Sequence, residues 1–139
     1  MTLRKLAVTA LMLGIAGTLA TIGPAQAATG SVAENMKTWD PDKDGTLDLT
    51  EVNQAAGAKF DRLEGDHDGT LTMKEMKSTK VDKTTFAKAD PDKDGTLTKA
   101  EYLTIVELRF KAADPDNDGT VSVAELQSKA GKSLVRLMQ

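Results

Sequence analysis

The chain has 139 residues, with 18 basic against 21 acidic side chains, one histidine and no cysteine. Its length allows one domain at most, and the absence of thiols excludes disulfides and thiolate metal sites. The acidic balance, with no basic face in the sequence, argues against a nucleic-acid partner.

At the start, Arg4 and Lys5 precede an apolar run over residues 6–22, then Gly23-Pro24 and the small-residue stretch Ala25-Gln26-Ala27. This pattern predicts a secretory signal peptide over 1–27, cleaved after Ala27, and a metal-binding domain over 28–139. An uncleaved anchor is the alternative, but Gly14, Gly17 and three threonines interrupt the run and a processing signal ends it. Cleavage removes Arg4 and Lys5 and leaves 16 basic against 21 acidic residues, a net charge of −5. The expected product is free of the membrane, in a periplasm.

Residues 32–39 are predicted to form a helix with Val32, Met36 and Trp39 on one side. A twelve-residue segment follows and recurs four times: DPDKDGTLDLTE (40–51), EGDHDGTLTMKE (64–75), DPDKDGTLTKAE (90–101) and DPDNDGTVSVAE (114–125). Of the 21 acidic residues, 17 lie in these segments, leaving only Glu34, Asp61, Asp82 and Glu107 outside. A solvated acidic surface would not sort its carboxylates this way.

The spacing is that of the EF-hand loop. Such a loop wraps a hard cation with oxygens from positions 1, 3, 5, 7 and 9 and a two-oxygen Glu at 12, with Gly at 6 for the sharp turn. Gly45, Gly69, Gly95 and Gly119 occupy position 6. The candidate ligands of loop 1 are Asp40, Asp42, Asp44, Thr46 (through its carbonyl), Asp48 and Glu51. Those of loop 2 are Glu64, Asp66, Asp68, Thr70 and Glu75. In loop 3 they are Asp90, Asp92, Asp94, Thr96 and Glu101, and in loop 4 Asp114, Asp116, Asp118, Thr120 and Glu125. Position 8 is Leu47, Leu71, Leu97 and Val121, apolar residues suited to a short strand pairing between loops.

Only twelve residues, 52–63, separate loops 1 and 2, and twelve, 102–113, separate loops 3 and 4. A conventional pair needs about twice that for an exiting helix, a linker and an entering helix. Each segment must therefore be one helix serving both neighbours. Val52, Ala56, Phe60 and Leu63 line one stripe, and Leu103, Val106, Phe110 and Ala113 the other. Such a helix holds its two loops apart, so if 76–89 folds back, loops 2 and 3 meet at one end and loops 1 and 4 at the other. After loop 4, Leu126, Ala130, Leu134 and Leu137 continue a helical stripe, with a break expected at Gly131. The predicted fold is an all-α compact bundle with its loops at both poles and a small core. Like charges about 4 Å apart repel by about 4 kcal/mol at an effective dielectric of 20. The cation-free chain is therefore expected to be partly or wholly disordered and to fold on binding.

All-oxygen sites with one histidine argue against zinc and copper. His67 stands at position 4 of loop 2, a non-ligand position held elsewhere by Lys43, Lys93 and Asn117, and is expected to face solvent. Ca2+ is the default cation of such loops. Three loops, however, carry proline at position 2 (Pro41, Pro91 and Pro115), which stiffens the empty loop and removes a backbone donor. With these prolines, the twelve-residue separations and the export signal, the sequence resembles lanmodulin, a family of small periplasmic EF-hand proteins, from the helix before Asp40 to Leu134. The resemblance implies selective binding of trivalent lanthanide ions with a disorder-to-order change. The five carboxylates of loop 1 are compatible with it, since a +3 ion relieves more repulsion than Ca2+.

Two features depart from the family pattern. Position 9 is aspartate only at Asp48; Thr72, Thr98 and Ser122 replace it elsewhere. Loop 2 begins with Glu64 and has Gly65 in place of proline, so it is expected to be the weakest site.

Two rival readings stand beside this one: a calcium buffer or sensor without lanthanide preference, and a metal-gated module for an unidentified periplasmic protein partner. Against the second, Met36, Met73, Met76 and Met138 are too few and scattered for a methionine-rich groove. Dockerin-like modules use similar loops, but two rather than four. An enzyme is not expected, because there is no Cys nucleophile, the carboxylates are committed to coordination, and Glu107 is a lone acid in mid-helix.

Overall fold

The computed structural model describes residues 31–139; the signal-peptide reading of 1–27 lies outside them. Ser31 caps α1 (Val32–Trp39), its hydroxyl accepting the Glu34 N–H, and Met36 and Trp39 are the residues this helix buries. Loop 1 then leads into β1 (Thr46–Asp48) and α2 (Leu49–Leu63), and loop 2 into β2 (Thr70–Thr72) and a 3₁₀ turn (Glu75–Thr79). Lys80, at φ 55°, reverses the chain into α3 (Lys83–Ala89), which Asp82 caps through the Thr85 N–H. Loop 3 feeds β3 (Thr96–Thr98) and α4 (Lys99–Ala113); loop 4 feeds β4 (Thr120–Ser122), α5 (Val123–Leu126) and α6 (Lys129–Val135).

The fold is mostly helical, as expected, but two small sheets tie the loops in pairs. β1 pairs antiparallel with β4, Leu47 opposite Val121, and β2 with β3, Leu71 opposite Leu97. All four of these position-8 side chains have 0% exposure, so each sheet is also a hydrophobic contact across a loop pair. The fifteen residues of α2, about 22 Å long at 1.5 Å per residue, run between β1 and β2. α4, also of fifteen residues, runs between β3 and β4.

α2 and α4 pack against one another. At their contact the Phe60 and Tyr102 rings meet edge to face, centroids 5.7 Å apart, a favoured aromatic geometry. Val52, Ala56 and Phe60 of the predicted stripe are buried, while Leu63 is half-buried. On α4 the buried face is centred on Tyr102, Ile105, Val106, Phe110 and Ala113, whereas the predicted Leu103 is half-buried. Both helices begin three residues earlier than the loop boundary suggests, so Glu51 and Glu101 sit in their first turns.

One expectation is overturned at the C-terminus. The helix breaks at Gln127 and Ser128, not at Gly131: Ser128 caps α6, its hydroxyl accepting the Gly131 N–H at 3.0 Å. Gly131 is buried inside α6 because the helix crosses the end of α5 there. A Cβ on it would lie 2.1 Å from the Glu125 carbonyl oxygen and 2.4 Å from Leu126 Cα. Among the described residues no helix is long and apolar enough to cross a membrane.

Candidate metal centre

In each loop the position-1 carboxylate organises the turn. Asp40 Oδ2 accepts the Gly45 N–H at 2.9 Å, Asp90 Oδ2 that of Gly95 at 3.0 Å, and Asp114 Oδ2 that of Gly119 at 3.1 Å. Glu64 accepts the Gly69 N–H in loop 2. The turn needs two left-handed residues in each loop. One is the glycine at position 6, with φ between 83° and 88°; the other is position 4, where Lys43, His67, Lys93 and Asn117 have φ between 56° and 61°. His67 and Asn117 are residue types enriched in this region but Lys43 and Lys93 are not, so position 4 carried a mixed signal in the sequence. His67 is exposed, as expected. At position 5, Asp44, Asp68, Asp94 and Asp118 each accept both the N–H and the hydroxyl of the following threonine, Thr46, Thr70, Thr96 or Thr120, at 2.7–2.9 Å.

Three groups of carboxylates converge so that one oxygen from each member lies within 4.8 Å of the others: Asp40, Asp42 and Glu51; Asp90, Asp92 and Asp94; Asp114, Asp116 and Asp118. Asp40, Asp90 and Asp114 are buried, at 6–7% exposure. Asp44 stands outside the first group, and Glu101 and Glu125 outside the other two. Among the described residues, Glu64, Asp66, Asp68 and Glu75 of loop 2 form no such group.

Positions 9 and 12, candidate ligands in the sequence, have a structural role as well. Asp48 Oδ1 accepts the Glu51 N–H at 2.8 Å while Glu51 Oε2 accepts the Asp48 N–H at 2.9 Å. Thr98 with Glu101, and Ser122 with Glu125, make the same reciprocal cap, and Thr72 with Glu75 exchange equivalent bonds. This is the capping box, legible as D/T/S-x-x-E at the starts of α2, α4 and α5. It leaves the second oxygen of each glutamate for another partner. In loop 1 that oxygen, Glu51 Oε1, is buried and has no hydrogen bond. In loop 2 Glu75 Oε1 accepts the Gly65 N–H at 3.2 Å, a donor that proline removes from the other three loops.

The electrostatics separate these two glutamates. Burial pushes the Glu51 carboxyl up; the Asp48 N–H opposes this, and the charges of Asp42, Asp48 and Asp40 add to the rise. Glu75 is instead held below its ordinary value by the Thr72 N–H and hydroxyl, with the Gly65 N–H adding to them. Within the clusters, burial raises Asp40, but the Gly45 N–H, the Asp42 side chain and the Lys43 and Asp44 N–H groups outweigh it, and the net shift is downward. Asp90 behaves alike. Their neighbours Asp42, Asp92 and Asp116 are all raised, first by the hydrogen bond each shares with the position-1 aspartate. Two carboxylates this close disfavour each other's charged form, which is the physical cause of the rise.

A hard cation fits this donor set. The donors are all oxygen, they are charged, and the buried Glu51 Oε1 is left unpaired, a state that is costly without a partner. Residues 81–106 and 105–128 each match the family model described as EF hand, covering loops 3 and 4. No curated protein matches the chain in sequence. The two matched segments share α4 as exit helix of one loop and entry helix of the next, so residues 81–128 carry a pair of EF hands, and with the acidic clusters they support an EF-hand metal-binding function.

Proposed function

We propose that this chain is an exported, non-enzymatic EF-hand protein that folds around hard cations and prefers trivalent lanthanide ions to Ca2+. The observation that carries the reading is loop 1, where Asp40, Asp42 and Glu51 converge around a buried carboxylate oxygen with no donor. Asp44 and Asp48 add two further charges to the same loop, so a +3 ion neutralises more of the repulsion there than Ca2+ does. A bound cation supplies the positive charge that these oxygens lack, and the loops supply its coordination shell. Asp40 and Asp42 hold it from the start of the loop, and Glu51 reaches it from the first turn of α2.

Folding on binding follows from the same imbalance. The 17 acidic residues of the loops repel one another in the empty protein, and the core that opposes them is small. Export rests on the N-terminal pattern, and lanthanide preference on loop 1 and on the resemblance to the lanmodulin family.

A terbium titration in excess calcium tests the reading. Trp39 is next to Asp40 and, with Glu51, lines a cavity of about 210 Å³. It is therefore placed to sensitise terbium in loop 1. Sensitised emission should rise at substoichiometric terbium and survive a large excess of calcium; emission abolished by modest calcium would establish a plain calcium buffer instead. Circular dichroism in excess chelator tests the coupled folding, and a native-like cooperative thermal transition there would overturn it.

A further inference from the structure

The four position-12 glutamates are not held alike. Glu51 and Glu101 lie in the first turns of fifteen-residue helices. Glu125 lies in α5, which has four residues. One helical turn closes a single hydrogen bond at the cost of several fixed torsions and does not persist unaided. Loop 4 therefore needs support from outside its own exit helix.

That support is α6. Gly131 lies directly on the Glu125 carbonyl, with no room for a Cβ, and the Ser128 N–H donates to the same carbonyl at 3.0 Å. α6 and the residues after it are in turn fastened to the central helices. Arg109 Nη1 donates to Ser133 O at 2.7 Å, Tyr102 Oη to Leu137 O at 2.8 Å, and Arg62 Nη2 to Met138 O at 3.1 Å. Leu134 and Leu137 are 0% exposed, so the segment is anchored by its side chains as well as its carbonyls.

We propose that Gly131 is a positioning residue for cation binding at loop 4: by letting α6 rest on the backbone of Glu125, it fixes the one-turn helix that presents the Glu125 carboxylate. Loop 4 is then completed by the C-terminal segment, whereas loops 1 and 3 are completed by their own exit helices. The proposal rests on loop 4 being a cation site, and its test separates the two claims.

The amide resonances of Gly45, Gly69, Gly95 and Gly119 each report one loop, and they are followed during a lanthanum titration of the full chain and of two variants. In the parent protein all loops that bind should shift; a Gly119 resonance that never moves would remove loop 4 as a site and the proposal with it. In Gly131→Ala the Gly119 midpoint should rise by at least about tenfold, since the added methyl must push α6 off α5, while Gly69 and Gly95 keep theirs. Ser128→Ala removes only the cap of α6, at an exposed position, and should weaken loop 4 by about fivefold while Gly69 and Gly95 keep their midpoints. If Gly131→Ala does not fold with lanthanum, Ser128→Ala decides. An unchanged Gly119 midpoint, or equal weakening at all four glycines, would show that α6 is ordinary core and overturn the assignment.

Discussion

Asp48 and Glu51 cap one another's backbone N–H groups at 2.8 and 2.9 Å, so the residue that gives loop 1 its fifth carboxylate also starts α2. The two roles can be separated, because asparagine caps helices as well as aspartate does. Asp48→Asn should leave the helical content of the loaded protein unchanged and weaken loop 1 for lanthanide more than for calcium. Terbium and calcium titrations read through Trp39 measure the two losses, and equal losses would remove the charge argument for a trivalent ion.

Loop 2 fails to gather its carboxylates where Gly65 offers Glu75 a backbone donor. Glu64 has φ −71° and ψ 90°; its ψ is close to the 80–83° of Asp40, Asp90 and Asp114, each of which precedes proline. The residue before position 65 is therefore already extended, as a following proline requires, and Gly65 is not among the glycines at positive φ. Gly65→Pro should strengthen lanthanum binding at loop 2, moving the Gly69 resonance to a lower midpoint. Gly65→Ala keeps the N–H and serves as the control; a gain in both variants would mean that loop stiffness, not the lost donor, is the cause.

Leu71 and Leu97 face each other across the second sheet with no exposure. Leu97→Ala removes a fully buried side chain, a change that costs about 2–5 kcal/mol in typical cores. It should weaken loops 2 and 3 together, even though only loop 3 is altered, and disturb loops 1 and 4 less. Site-resolved titration checks this. A loss confined to loop 3 would show that the strand pairing does not couple the sites.

Tyr102 is the only tyrosine in the chain, so its ionisation can be followed without overlap. Burial pushes its hydroxyl well above the ordinary value, against the lowering influence of Arg109 and Arg62. The folded state therefore keeps a proton that the unfolded state releases near pH 10. This contribution to stability is complete below pH 10 and falls as pH rises above it, by about 1.4 kcal/mol per pH unit. Tyr102→Phe should abolish that component of the alkaline slope. At neutral pH it should cost about 1 kcal/mol, because Leu137 O loses its donor. Denaturant melts of the loaded protein at neutral and alkaline pH measure both, and identical slopes in the two proteins would contradict the buried assignment.

The repeat, the glycines, the shared helices and the apolar stripes were readable in the sequence, because each is a matter of local spacing. Twelve residues between loops leave room for one helix only, and a stripe at helical period has one buried side. The D/T/S-x-x-E capping boxes were equally local, but their residues are also ligand types, so the metal reading of Asp48 and the glutamates concealed their structural role. Position 4 was hard to read for the opposite reason: lysine does not advertise a left-handed backbone, and the turn imposes it on Lys43 and Lys93.

Gly131 shows where local reasoning ends. Glycine within a helical stripe reads as a break, because the chain alone gives no hint that another backbone passes within contact of that Cα. Likewise, Arg109, Tyr102 and Arg62 reach carbonyls 24, 35 and 76 residues away, separations over which no spacing rule operates. The sequence by itself determined where the carboxylates stand and that the donor set is all oxygen, since the loop pattern is written in consecutive residues. Which glutamates are starved of donors, which are satisfied, and which lean on the C-terminal helix was decided only by the tertiary structure, because burial and hydrogen bonding depend on what the rest of the chain brings alongside.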